Sequence, residues 1–84
     1  MSWQILTARA WADIEKLDDT ERTAVAHDLM TWVESGPPRR NRRDLAGVEP
    51  YDNRLPSGFD VVYLVDESVP YAALLRVRRA PPST

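Results

Sequence analysis

Residues 58–79 read GFDVVYLVDESVPYAALLRVRR, and the fold is decided here. Phe59 to Asp66 is dense in β-branched and aromatic side chains, and Tyr71 to Arg78 repeats that character after a short link from Asp66 to Pro70. Such side chains suit a pleated, half-buried surface, so the two runs are expected to pair as an antiparallel hairpin. Alternation across a strand puts Phe59, Val61, Tyr63 and Val65 on one face, with Tyr71, Ala73, Leu75 and Val77 as the matching set, and this face should meet the helices. The opposite face carries Asp60, Val62, Leu64 and Asp66 beside Ala72, Leu74, Arg76 and Arg78. Asp60 is expected opposite Arg76 or Arg78, close enough for an ion pair.

Toward the N-terminus, Tyr51 to Leu55 reads as another strand, joined to the hairpin by the turn Pro56-Ser57-Gly58. Residues 37–50 hold four arginines, three prolines and one glycine, which marks an exposed basic connector whose best anchor is Leu45. Ahead of it, Gly36-Pro37-Pro38 stops a helix, because proline has no amide to donate and disfavours helix in the residue before it. That helix opens at Asp18-Asp19-Thr20-Glu21, a capping box. Its apolar face runs Val25, Leu29, Trp32 and Val33, with Ala26 and Met30 adjoining. An earlier helix starts after Thr7 as N-cap and ends near Leu17, with Trp11, Ile14 and Leu17 as its buried stripe. Trp3 to Thr7 is a short strand candidate. The expected architecture is α+β: an N-terminal strand, a two-helix hairpin, then a three-stranded antiparallel meander, with the helices packed on one face of the sheet. One domain should span 1–79, followed by a flexible tail at 80–84.

Composition narrows the function. The chain has 84 residues, 43% hydrophobic and 29% charged, enough for one two-layer core. Without cysteine there is no disulfide, thiolate nucleophile or cysteine zinc site, and His27 as the one histidine cannot build a metal cluster, so neither metal nor cofactor is expected. No apolar run approaches the ~20 residues that span a bilayer, and Trp3 to Thr7 does not resemble a signal peptide, so the cytoplasm is the expected compartment. Net charge is −2, yet residues 1–35 hold three bases against seven acids while residues 36–84 hold eight against six. Arg39, Arg40, Arg42 and Arg43 concentrate positive potential; they suit contact with nucleic-acid phosphates and equally suit a solvated loop or pairing with the acidic N-terminal half. Arg76 and Arg78 suit a phosphate site, or an ion pair with Asp60. Tyr51 and Tyr63 are candidates for proton transfer or base stacking, with Tyr63 on the core face. His27 reads as a surface residue; Trp3, Trp11 and Trp32 read as packing residues.

Taken in order, these elements resemble the RelE/ParE toxin superfamily over nearly the whole chain. The resemblance is carried by Thr7-Ala8-Arg9-Ala10 and Lys16-Leu17-Asp18 around the first helix and by Leu45-Ala46-Gly47 in the connector. It continues in Tyr51-Asp52-Asn53-Arg54-Leu55, in Gly58-Phe59-Asp60-Val61-Val62-Tyr63 and in Leu74-Leu75-Arg76-Val77. It implies a toxin of a type II toxin-antitoxin pair, silenced by a cognate antitoxin. RelE-like members cut mRNA on the ribosome without a metal, through attack of the ribose 2′-hydroxyl, and so inhibit translation; ParE-like members poison DNA gyrase and need no catalytic residue. On the first reading Arg54, Arg76 and Arg78 stabilise the phosphate, with Tyr51 as proton-transfer candidate, and Arg39, Arg40, Arg42, Arg43 and Arg79 bind nucleic acid. A third reading is a catalytically degenerate relative that binds nucleic acid or a partner. Two departures stand out: Asp60 occupies a position where the pattern usually has arginine, and the family's terminal tyrosine has no counterpart after Arg79.

Overall fold

The computed structural model describes residues 2–40, 42 and 50–79. In chain order it has β1 (Gln4–Leu6), a 3₁₀ turn (Ala8–Ala10) running into α1 (Trp11–Glu15), α2 (Asp19–Ser35), β2 (Tyr51–Arg54), β3 (Phe59–Asp66) and β4 (Tyr71–Arg79). Together they make the α+β architecture expected, with one addition to its meander. The strands form a single sheet in the order β1-β4-β3-β2, with β1 parallel to β4 and the other pairs antiparallel. Leu45, Ala46, Gly47, Arg43 and the tail at 80–84 lie outside the described residues.

The α2 start is set locally. Asp18 accepts from the Glu21 amide at 2.8 Å, and the Glu21 carboxylate accepts from the Asp18 amide at 3.1 Å, so the capping box forms as the sequence requires. The helix ends at Gly36, whose φ of +82° favours glycine. A Cβ there would stand 2.7 Å from the Trp3 indole, so the close approach of Trp3 also demands glycine. Buried Val25, Leu29 and Trp32 face the sheet, and Asp28 ties the helix to the β2–β3 turn by accepting from the Ser57 amide at 2.8 Å.

The first helix departs from expectation. Its opening turn is 3₁₀, with the Ala10 amide on the Thr7 carbonyl and no side-chain cap from Thr7, so its buried positions are Ala10, Ile14 and Leu17. Trp11 is rotated outward, 51% exposed, and donates its indole N–H to Glu15 at 2.6 Å; it is not part of the buried stripe.

β4 also differs. Val62 pairs with Arg76 but Tyr63 pairs with Leu74, which leaves Leu75 as an extra residue in β4. A bulge of this kind flips the side-chain phase, so the core set on this strand is Ala72, Leu74 and Val77, not the expected Tyr71, Ala73, Leu75 and Val77. On β3, Phe59, Val61 and Tyr63 are buried as anticipated and Val65 packs against them. Each fully buried aliphatic side chain here stabilises the fold by about 1.5–3 kcal/mol. No helix among the described residues is long and apolar enough to cross a membrane.

Candidate nucleic-acid interface

β1 pairs only with Tyr71, Ala72 and Ala73, so the second half of β4 has no strand on that edge. α1 covers it instead. Asp13 projects one oxygen, Oδ2, that accepts from the Val77 amide at 3.0 Å and from Arg76 Nε at 2.8 Å. Partial burial works to raise the Asp13 pKa, but the Arg76 guanidinium and the Val77 amide outweigh it and hold the carboxyl below its ordinary value. Arg79, at the end of the strand, donates through Nε to Glu21 Oε2 at 2.6 Å, and its Nη2 meets the same oxygen. The other Glu21 oxygen is the one that caps α2.

Between the end of α1 and this half of β4 lies an open cleft of about 260 Å³, lined by Lys16, Leu17, Asp13, Arg76, Val77, Arg78 and Arg79. Its lining has four cations and one carboxylate, so the local potential is positive although the chain is net acidic. Arg76 and Arg79 are held by carboxylates from the helices; Lys16 and Arg78 form no ion pair among the described residues. Fixed guanidinium groups beside cations without a carboxylate partner can bind phosphate oxygens with little reorganisation.

On the sheet face away from α2, Arg54, Asp60 and Arg78 form a row across β2, β3 and β4. Asp60 is opposite Arg78 in register, one of the two positions expected. Its ion pair, however, is with Arg54 on the other neighbouring strand, Nε to Oδ1 at 3.1 Å. A carboxylate in this row lowers its attraction for phosphate.

The connector is organised differently. Tyr63 is fully buried, tilted against Trp32 with ring centroids 4.7 Å apart and stacked on Tyr51 at 5.7 Å. Its hydroxyl donates to the Pro38 carbonyl at 2.5 Å and accepts from Asn53 Nδ2 at 2.8 Å, while Asn53 Nδ2 also donates to the Arg40 carbonyl at 2.9 Å. Burial drives the Tyr63 pKa up to about 12, so the phenol stays protonated and serves as a structural donor. Arg39 lies over the Trp3 ring and pairs with Glu67 at 3.0 Å, and Arg42 lies over the Tyr51 ring.

Of the residues the sequence singled out, Arg76, Arg78 and Arg79 converge on the cleft, and Arg54 joins Arg78 through the outer row. Tyr51 is on the helix-facing side of β2, packed against the core, and is not brought to them. Arg39, Arg40 and Arg42 cluster near Tyr63 and Tyr51; Arg43 lies outside the described residues. Sequence reading missed Lys16, Asp13 and Glu21 as neighbours of the β4 arginines. Glu21 carried only its capping signal, and nothing local marked Asp13, which meets Arg76 across 63 positions.

Helices on one face of a mixed sheet, with a cation-lined cleft at the sheet edge, define a small α+β protein with the RelE-like toxin fold. The chain is similar to E. coli RelE in three solved structures, each at 25% identity. For the isolated toxin the TM-score is 0.69, covering 99% of this chain and 88% of that one. For the intact RelBE toxin–antitoxin complex it is 0.67, with 98% and 100% covered. For a double arginine-to-alanine variant in the free state it is 0.67, with 95% and 85% covered. No protein-family model matches the chain, and no curated protein sequence matches it.

Proposed function

We propose that this chain is a toxin held silent by a cognate antitoxin, and that it acts in the cytoplasm as a ribosome-dependent mRNA endoribonuclease inhibiting translation. The observation that carries this reading is the cleft of Lys16, Arg76, Arg78 and Arg79 on a RelE-like fold. Attack of a ribose 2′-hydroxyl, which gives up its proton, on the adjacent phosphorus builds negative charge on the non-bridging oxygens until the P–O5′ bond breaks, leaving a 2′,3′-cyclic phosphate and a 5′ oxygen that takes up a proton. Arg76, already fixed by Asp13, and the neighbouring cations stabilise that charge without having to be gathered at the moment of reaction. Arg54 contributes through the outer row, and Arg39, Arg40, Arg42 and Arg43 follow the RNA backbone. The cleft lining holds no histidine or tyrosine among the described residues, so its contribution is electrostatic. Tyr51, the proton-transfer candidate, would need the RNA to pass the β2 edge.

That same lining, with Asp60 set between Arg54 and Arg78, favours a second reading: a ParE-like poison of DNA gyrase, or a relative that binds without cleaving. Induced expression in a bacterial host, with growth and transcript integrity followed together, separates them. Growth arrest with cleaved mRNA is the expected result. Arrest with intact mRNA and inhibited supercoiling would move the protein to gyrase, and unaffected growth would leave a binding protein.

A further inference from the structure

Arg76 and Arg79 are both tethered, but through different edges. A guanidinium offers two bidentate edges, one from Nε and an Nη, the other from Nη1 and Nη2. Arg79 gives Nε and Nη2 to Glu21, which commits its side edge to joining β4 to the α2 cap. Arg76 gives only Nε to Asp13, and its Nη1 and Nη2 have no hydrogen bond among the described residues. The Asp13 oxygen that holds Arg76 is itself held by the Val77 amide, so the side chain is braced against the backbone of the strand that carries it. Lys16, the residue that follows the last of α1, lines the same cleft.

We infer that Asp13 is a positioning residue for phosphate recognition. It presents the Nη1/Nη2 end of Arg76 to the cleft, where that end, Lys16 and Arg78 take one phosphodiester group of an RNA chain. The inference rests on the proposal that the cleft binds RNA, and extends it by giving a carboxylate a favourable role in an anion site. Simple electrostatics predicts the reverse. If Asp13 only neutralised the cleft, removing its charge would strengthen anion binding. If it positions Arg76, removing its charge weakens binding although the cleft becomes more positive. The sign of one substitution decides between the two.

The probe is a 2′-O-methylated RNA trinucleotide, which keeps the phosphates but lacks the attacking hydroxyl, titrated into the full chain at low ionic strength. Asp13→Asn keeps one oxygen for the Val77 amide and Arg76 Nε but removes the charge that holds the guanidinium, and is expected to weaken binding about tenfold, as when a charge-assisted hydrogen bond is reduced to a neutral one. Arg76→Lys keeps the charge, leaves the surface unburied and removes the bidentate end, and should weaken binding comparably. Lys16→Ala should weaken it and reduce the salt slope by about one. Equal or tighter binding by a folded Asp13→Asn protein overturns the inference, and if that variant does not fold, undiminished binding by Arg76→Lys overturns it. Should the wild-type chain fail to bind the trinucleotide, the RNA-binding reading falls as well; binding that is strong but indifferent to both substitutions removes only the role of Asp13.

Discussion

At the end of β4, arginines are fixed through their side chains, by Asp13 and Glu21. In the connector it is chiefly the backbone that is fixed, through the Pro38 and Arg40 carbonyls held by Tyr63 and Asn53, while the guanidiniums of Arg39 and Arg42 lie over aromatic rings and Arg39 also pairs with the Glu67 carboxylate. The connector has the higher density of arginine, yet the cleft has the more directed array of donors. Charge density along a sequence therefore says less about where a phosphate can be held than the partners that aim each guanidinium.

The contrast is open to direct attack, and its largest test is at Tyr63. Replacing Tyr63 with Ala removes a fully buried ring, the tether to the Pro38 carbonyl and the hydroxyl that accepts from Asn53, and should cost about 3–5 kcal/mol in denaturant unfolding. A loss near zero would mean that the connector is held by something else. Tyr63→Phe isolates the hydroxyl: about 1–3 kcal/mol is expected, because the Pro38 carbonyl loses its donor and Asn53 loses an acceptor inside the protein. Combining it with Asn53→Ala should cost less than the sum of the two singles, and strict additivity would break the idea of one network.

Gly36→Ala probes the same region from its N-terminal side. The positive φ and the 2.7 Å approach to Trp3 predict a loss of about 1–3 kcal/mol and a displaced indole, visible as a change in tryptophan fluorescence. On the sheet face, Asp60→Arg would set like charges side by side in the outer row. Stability should fall by up to about 1 kcal/mol while RNA affinity rises, and unchanged affinity would place the interface elsewhere.

Smallest near neutrality are two pH limbs, one for each region. The Asp13 carboxyl has a folded pKa below 3.8, so its stabilisation is present above that value and is lost as the pH falls through the lowered pKa. Tyr63, at about 12 against an ordinary 10.0, behaves in the opposite sense: its stabilisation is full below pH 10 and is lost as the pH rises from there toward 12. Arg76→Ala should shrink the acid limb and leave the alkaline one, and Tyr63→Phe should do the reverse, as measured by thermal unfolding across pH.

Much of this could be read along the chain. The Asp18–Glu21 capping box, the stop at Gly36, the buried alternation of Phe59, Val61 and Tyr63, and the clustering of cations late in the chain all depend on neighbours within a few residues. Interactions of that range are set by local geometry and so leave a local pattern. The rest depends on how distant segments meet. One extra residue, Leu75, turned the core face of β4; a 3₁₀ start rotated Trp11 out; and the turn from Arg54 to Asp60 gave Asp60 a partner on β2 in place of β4. Which arginines are held, and by which carboxylates, followed from β1 being too short to cover the β4 edge, so that α1 brought Asp13 and Lys16 there. Residue types along the chain specified the strands, the helices and an abundance of cations. Docking of α1 on the β4 edge gathered some of those cations around one cleft, because a guanidinium is oriented by whatever carboxylate the folded chain sets beside it, and the carboxylate beside Arg76 came from 63 positions away.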